Sequence, residues 1–303
     1  MAQYFSDESL LQPPITRAAY SDRTAWIMSE CSALAYVENQ QDLKKALAAG
    51  DFKFIKSFTK DEITAYVAVS QKHGYAVLAF KGTVLTEKNT IRTDLNFWWY
   101  KSHGVVFHEG FYKAYESLFK DIHSQLIKLR LPIYVTGHSL GGALATVCVM
   151  RYPDTDRMAA CYTFGAPRVC DLKGVIEFYK VPVYRLAHSD DVVPTLPFFA
   201  MGFTQIGDFR YINDKFEVIE GSAGVFSRLG FQLKCLLTLS FARLVGDHAI
   251  GKYAEILETI AARRRNDHIQ EALRGIKGKA FEPTSSFKDD RSPSSLKKVK
   301  TKA

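Results

Sequence analysis

The sequence predicts an α/β fold: a mostly parallel central sheet with helices on both faces. Three observations carry this. Between about residues 52 and 187, short β-rich runs alternate with helix-periodic segments, and parallel strands need such crossovers, which then cover the sheet. An early hairpin signal supplies an antiparallel edge of the kind common in such sheets. Finally, the stretch Tyr-Val-Thr-Gly-His-Ser-Leu-Gly-Gly-Ala at 134–143 passes from buried-strand character to small-residue helix character through a glycine-fenced turn.

Taken in order, residues 22–37 are expected to be helical, with Asp22 as a cap and Ala25, Met28, Ser32 and Ala35 on one face. Residues 41–49 form a second short helix stopped by Gly50. Residues 52–58 alternate, and the β-rich runs 64–70 and 75–80, separated by Gln-Lys-His-Gly, predict a hairpin. A long connection with little periodicity covers 81–101. Phe111, Tyr115, Leu118, Ile122, Leu126 and Leu129 then recur at helical spacing. A strand at 133–135, a helix at 140–150, a strand at 158–164, a helix at 172–179 and a strand at 181–187 follow. After roughly Arg265 the pattern dissolves into Ser, Pro and charge, so one domain is expected over 1–265 and a basic, disordered tail over 266–303.

Composition narrows the function classes. A chain of 303 residues with 47% hydrophobic and 24% charged residues is ordinary for a soluble globular protein. The net charge of +8 sits almost wholly in residues 261–303, which hold 12 Lys and Arg against 5 Asp and Glu. The body is therefore near neutral, and no nucleic-acid partner is expected from a basic tail alone. Five cysteines are odd in number and lack metal or redox spacing, and Cys148 and Cys161, in apolar runs, read as reduced core residues. The N-terminal residues lack the basic start and apolar stretch of a cleaved leader. The expected location is the cytoplasm, or the exterior by a route without a cleaved signal. Residues 131–150 carry no charge but contain Pro132 and several glycines, so they read as strand, turn and helix rather than as a membrane span.

The chemistry gathers at Ser139. In an open parallel sheet, sites form at the carboxyl ends of strands. A Gly-x-Ser-x-Gly turn there is strained and projects the serine outward, toward the positive end of the following helix. A structural glycine-rich connection is the alternative. A serine hydroxyl needs a base, and the base an orienting acid, in the chain order Ser, Asp or Glu, His. The strand at 181–187 leads into His-Ser-Asp-Asp-Val-Val-Pro, placing Asp190 and Asp191 at another carboxyl end. Beyond them stand only His248, in a break between apolar segments, and His268, in a charged region; His248 is the better base. His138 abuts the serine, and a structural hydrogen bond suits it better than base chemistry.

These residues also carry a family resemblance. Val-Thr-Gly-His-Ser-Leu-Gly-Gly-Ala-Leu-Ala, with Val-Leu-Ala-Phe-Lys-Gly-Thr, Val-Phe-His-Glu-Gly-Phe, Phe-Gly-Ala-Pro-Arg-Val and His-Ser-Asp-Asp-Val-Val-Pro-Thr-Leu-Pro, resembles the class 3 lipases, which include the fungal triacylglycerol lipases. The chain would be a bacterial-type or otherwise divergent member. The resemblance runs collinearly from about residue 67 to 256 and implies an α/β-hydrolase fold that cleaves lipid esters with no cofactor and no metal. Transferred by motif, Ser139 is the nucleophile, His248 the base, and Asp191, three residues before Pro194, the acid in preference to Asp190. Thr83 supplies an oxyanion N–H and hydroxyl, with the Leu140 N–H as partner. Asp94 resembles the aspartate that steadies the oxyanion residue; a helix cap is its alternative role.

The family's lid position falls on 84–93, which is short and largely polar. Phe97, Trp98, Trp99 and Tyr100 either line an acyl groove, rim it, or fill core. Residues 224–245 are unusually apolar and interrupted by Arg228, Lys234 and Arg243, which argues for a long helix, either a buried cap or a lipid-docking surface. The expected activity is triacylglycerol hydrolysis on a lipid ester substrate, with peripheral contact to a membrane or lipid-droplet surface. The alternatives are a phospholipase A or lysophospholipase, and a lipid-binding protein on a hydrolase scaffold.

Overall fold

The computed structural model describes residues 4–11, 19–83, 98–178, 180–188, 191–197, 199–213, 215–221 and 248–278. The first helix, α1 (Asp22–Leu34), is capped by the Ser21 side chain, which accepts from the Thr24 N–H, so Asp22 falls in the first turn. Every residue from Thr24 to Leu34 is buried, a far wider contact than the one face legible in the sequence. Its small polar residues are satisfied internally. Ser29 donates to the Trp26 carbonyl at 2.7 Å and Ser32 to that of Met28 at 2.9 Å. Asn39 caps α2 (Gln40–Ala49), which ends at Gly50.

Three antiparallel strands follow: β1 (Lys53–Lys60), β2 (Ile63–Ser70) and β3 (Tyr75–Phe80). The first turn consists of Asp61 and Glu62, both at positive φ (48° and 66°), as a twisted two-residue hairpin requires. A separate two-stranded sheet, β4 (Trp99–Ser102) with β5 (Val105–His108), occupies the end of the segment read as a plain connection. Its turn residues His103 and Gly104 likewise adopt positive φ.

The rest of the sheet is built by crossovers. α3 (Glu109–Leu126) leads to β6 (Ile133–His138), α4 (Leu140–Arg151) to β7 (Met158–Phe164), and α5 (Leu172–Glu177) to β8 (Val183–His188). Two short strands absent from the sequence reading, β9 (Asp208–Ile212) and β10 (Val218–Glu220), extend the edge. Among the described residues the strand order is β1-β2-β3-β6-β7-β8-β9-β10, parallel from β3 to β9 and antiparallel at both ends.

Period-two alternation divides the side chains between two cores. Ala76, Leu78 and Phe80 of β3 join α3 and α4 on one face. Tyr75, Val77 and Ala79 join α1, α2 and the last helix, α6 (Ile250–Gly278), on the other. Because both faces are covered, the central strands read as unbroken apolar runs.

The chain divides into two compact units, Met1–Arg263 and Arg264–Ala303. The disordered tail expected from residue 266 is corrected over its first part: α6 continues to Gly278. Arg, Gln, Glu, Ala and Leu are strong helix formers. Residues 263–271 are all exposed, however, so this part of the helix has no buried stripe to leave a periodic signal. Residues 279–303 lie outside the described residues.

Glu30 on α1 supplies a test of this packing. It is 5% exposed, and burial, together with the nearby Glu258 carboxylate, raises its carboxyl to about 7 from an ordinary 4.5. The folded state therefore holds a proton that the unfolded chain releases. The stabilisation is fully present below pH 4.5 and is lost as pH rises through about 7. Urea denaturation across this window should show stability falling by up to about 1.4 kcal/mol per pH unit from this group, and Glu30→Gln should flatten the slope. An unchanged slope in that variant would contradict the assignment.

Candidate active site

β6 stops at His138 and α4 begins at Leu140, so one residue, Ser139, must reverse the chain. It does so at φ 57° and ψ −128°, a conformation that costs an L-residue about 1–3 kcal/mol. Glycines make the reversal sterically feasible. A Cβ at Gly137 would collide with the Gly141 carbonyl, and one at Gly142 with Ala166. The Ser139 N–H donates to the Phe164 carbonyl at the end of β7 at 2.9 Å, and its own carbonyl accepts from Gly142. Its hydroxyl makes no capping bond to α4.

Asp191 follows β8, and Val193 donates its N–H to the Asp191 Oδ1 at 3.0 Å. The Tyr253 hydroxyl donates to Oδ2 at 2.6 Å, while accepting the His188 N–H at 3.0 Å. His248 Nδ1 lies 3.0 Å from both carboxylate oxygens. A carboxylate only accepts, so Nδ1 carries a proton, and in the neutral ring Nε2 holds the lone pair. That Nε2 is buried and has no hydrogen-bond partner among the described residues.

Two features bring Ser139 to this pair. Phe164, which holds the Ser139 N–H, precedes Gly165, at φ +58°, and a Cβ on Gly165 would lie 2.5 Å from Asp191 Oδ2 and 2.9 Å from His248 Nδ1. The ring of His138 sits 4.4 Å, centroid to centroid, from that of His248. Ser139, Asp191 and His248 are each about 3% exposed, so an ionised group formed there would be poorly screened by water.

His138 makes the structural hydrogen bonds expected of it: Nε2 to the His248 carbonyl at 2.5 Å and Nδ1 to the Tyr36 hydroxyl at 2.8 Å. Burial, and then the adjacent His248, push its imidazole well below the ordinary histidine range. It stays neutral.

Thr83 is half-buried and follows Gly82, where any Cβ would strike the Tyr36 hydroxyl, the His138 carbonyl and Ser139 Cβ. The end of β3 thus passes directly over the serine turn. Leu140 is the first residue of α4, its N–H at the helix start. Asp94, Asp190, the lid position 84–93, Phe97 and residues 224–245 lie outside the described residues. Trp98 and Trp99 are 64% and 66% exposed, whereas Tyr100 packs on Tyr112 with ring centroids 4.6 Å apart. His268 is exposed on α6. The sequence reading missed Tyr253 and Tyr36. Tyr253 stands five residues after His248, a spacing that could have flagged it, whereas nothing local marks Tyr36 at the end of α1.

The Gly165 contact is testable. Gly165→Ala must move Asp191 or His248 and leave an L-residue at positive φ, at a cost of about 1–3 kcal/mol. The urea midpoint should fall, and the low-field proton resonance of the His248–Asp191 hydrogen bond should shift or vanish. A variant with both unchanged would mean that the pair is not packed against residue 165.

The family described as Lipase (class 3) matches residues 77–201. A Caenorhabditis elegans lipase is 31% identical over 213 residues, 65% of this chain and 56% of that protein. The secreted mono- and diacylglycerol lipase 1 of Fusarium solani is 30% identical over 192 residues, 57% of each chain. The chain thus spans little more than half the length of these relatives. Among solved structures, the Rhizopus microsporus var. chinensis lipase aligns at a TM-score of 0.52 and 26% identity, over 62% of this chain and 72% of that one. A structure described as a triacylglycerol lipase with a serine protease triad as its catalytic centre aligns at 0.55 and 25%, over 67% and 85%. With its parallel sheet, its strained serine turn and these relatives, the chain resembles the class 3 lipases over its central part and has the α/β-hydrolase fold.

Proposed function

We propose that the protein hydrolyses carboxylic esters of lipids, triacylglycerols foremost, through an acyl-enzyme formed on Ser139. The observation that carries this reading is the buried Asp191–His248 pair, whose imidazole lies against the ring of His138, the residue before the strained serine turn. In the first half-reaction His248 Nε2 takes the Ser139 proton as Oγ attacks the ester carbonyl. Asp191 stabilises the imidazolium, and the tetrahedral oxyanion is held by the N–H groups of Thr83 and Leu140 and by the Thr83 hydroxyl. Collapse expels the alcohol, which takes the proton from Nε2. Water then attacks the acyl-enzyme with His248 again as base, and the fatty acid leaves. Asp94 would act on Thr83 as a positioning residue.

The match of residues 77–201 to the class 3 lipase family supports the ester chemistry, and the names of the Fusarium solani relative and of the triacylglycerol lipase structure support glycerolipids as substrates. The exposed Trp98 and Trp99 support transient contact with a lipid surface, since such rings are stable at an apolar–water boundary. Among the described residues no helix is long and apolar enough to cross a membrane, consistent with peripheral contact.

Ser139→Ala should lower hydrolysis of p-nitrophenyl butyrate and tributyrin by roughly 10³-fold or more while leaving the melting temperature close to wild type. Retained turnover would sink the assignment. Thr83→Ala, which removes one oxyanion donor but keeps the backbone N–H, should cost about 10²-fold in kcat with little change in KM. Preference for phosphatidylcholine over tributyrin and triolein would move the substrate class to phospholipids.

A further inference from the structure

The mechanism above leaves a partly buried polar chain unused. Tyr36, at the end of α1, touches the ends of two strands. Its hydroxyl accepts the Gly82 N–H and lies 2.8 Å from His138 Nδ1. His138 Nε2 lies 2.5 Å from the His248 carbonyl oxygen. The direction of each bond is dictated by chemistry. A carbonyl only accepts, so Nε2 carries the proton of the neutral ring and Nδ1 must accept from Tyr36. The Tyr36 hydroxyl, with its proton committed to His138, is left with lone pairs for the Gly82 N–H. Only one tautomer satisfies both partners, and burial beside His248 keeps the ring neutral.

The ends of this chain matter. Gly82 is the residue before Thr83, and His248 bears the base. We propose that Tyr36 and His138 are positioning residues: the chain Gly82 N–H, Tyr36 hydroxyl, His138 imidazole, His248 carbonyl locks the oxyanion-bearing strand end and the base-bearing segment into one frame. The inference rests on the roles proposed for Thr83, Ser139 and His248. Asp191 fixes the His248 ring at Nδ1, but a single side-chain contact leaves the backbone free to rotate or slide. His138 supplies the second point, at the His248 carbonyl, and its ring lies against that of His248. Both nitrogens of His138 are committed to this task, so it offers no lone pair to the serine beside it.

Isosteric substitutions separate this role from packing. The amide of Gln at 138 overlies the Nε2 position and can donate to the His248 carbonyl. That of Asn overlies Nδ1 and can bond Tyr36 only. With p-nitrophenyl butyrate, His138→Leu and His138→Asn should lose about 10- to 100-fold in kcat with KM unchanged, the scale of a small misplacement of catalytic groups. His138→Gln should stay within about 3-fold of wild type on the same reasoning. Labelling of Ser139 by a fluorophosphonate should slow in parallel with kcat. Tyr36→Phe, which removes one oxygen and should fold normally, should lose about 3- to 30-fold by the same misplacement, and it carries the test alone if the His138 variants do not fold. Wild-type kcat and labelling in Tyr36→Phe overturns the proposal. So do equal losses in the Gln and Leu variants, which would indicate packing, and Asn performing as well as Gln. A wild-type protein that the fluorophosphonate does not label overturns the serine mechanism itself, and the proposal with it, a result distinct from unaltered labelling in the variants.

Discussion

The carboxyl end of the sheet depends on how closely α4 crosses the end of β6. Gly137 leaves no room for a side chain between strand and helix, while Gly141 abuts the backbone at Phe80 and Lys81 and Gly142 abuts Ala166, and that closeness holds Ser139 in a backbone conformation that L-residues avoid. The strain persists because the sheet over-determines it. The Ser139 N–H is held by the Phe164 carbonyl of β7, and the Gly82 backbone at the end of β3 lies across the turn. The serine at the cap position makes no side-chain hydrogen bond to the helix N–H groups.

Around that turn the site is assembled from buried polar groups that are costly to expose and costly to leave unpaired. Asp191 accepts from His248, Tyr253 and the Val193 N–H. Tyr253 in turn accepts the His188 N–H, tying α6 to the end of β8. His138 joins the Tyr36 hydroxyl to the His248 carbonyl. Each member thus fixes a neighbour from a different element, and His248 Nε2 has no hydrogen-bond partner among the described residues. A preorganised site of this kind needs little rearrangement when charge develops.

Much of the fold was legible because burial on two faces leaves unmistakable marks. β3, β6, β7 and β8 read as apolar runs, and the helix-periodic leucines and aromatics of α3 identified the first crossover. The tight hairpin at Asp61–Glu62 and the first turn position of the next, His103, were harder, since non-glycine residues at positive φ carry little compositional signal. β9 and β10 are too short for their alternation to stand out. The helical stretch beyond Arg265 was lost for the opposite reason. With no buried face, its helix-forming residues looked like a charged tail.

By itself, the sequence determined the sheet class, the strand-to-helix turn at Ser139, the collinear motifs that carry the resemblance to the class 3 lipases, and the order in which a serine, an aspartate and a histidine come along the chain. Each of these is a local pattern, set by backbone sterics and by which side chains must avoid water. The tertiary structure decided which of two candidate histidines meets Asp191 and which nitrogen of His248 is left bare. It also recruited Tyr253 and Tyr36, residues with no motif of their own. Hydrogen bonds between elements more than a hundred residues apart depend on packing geometry, and no local periodicity encodes that.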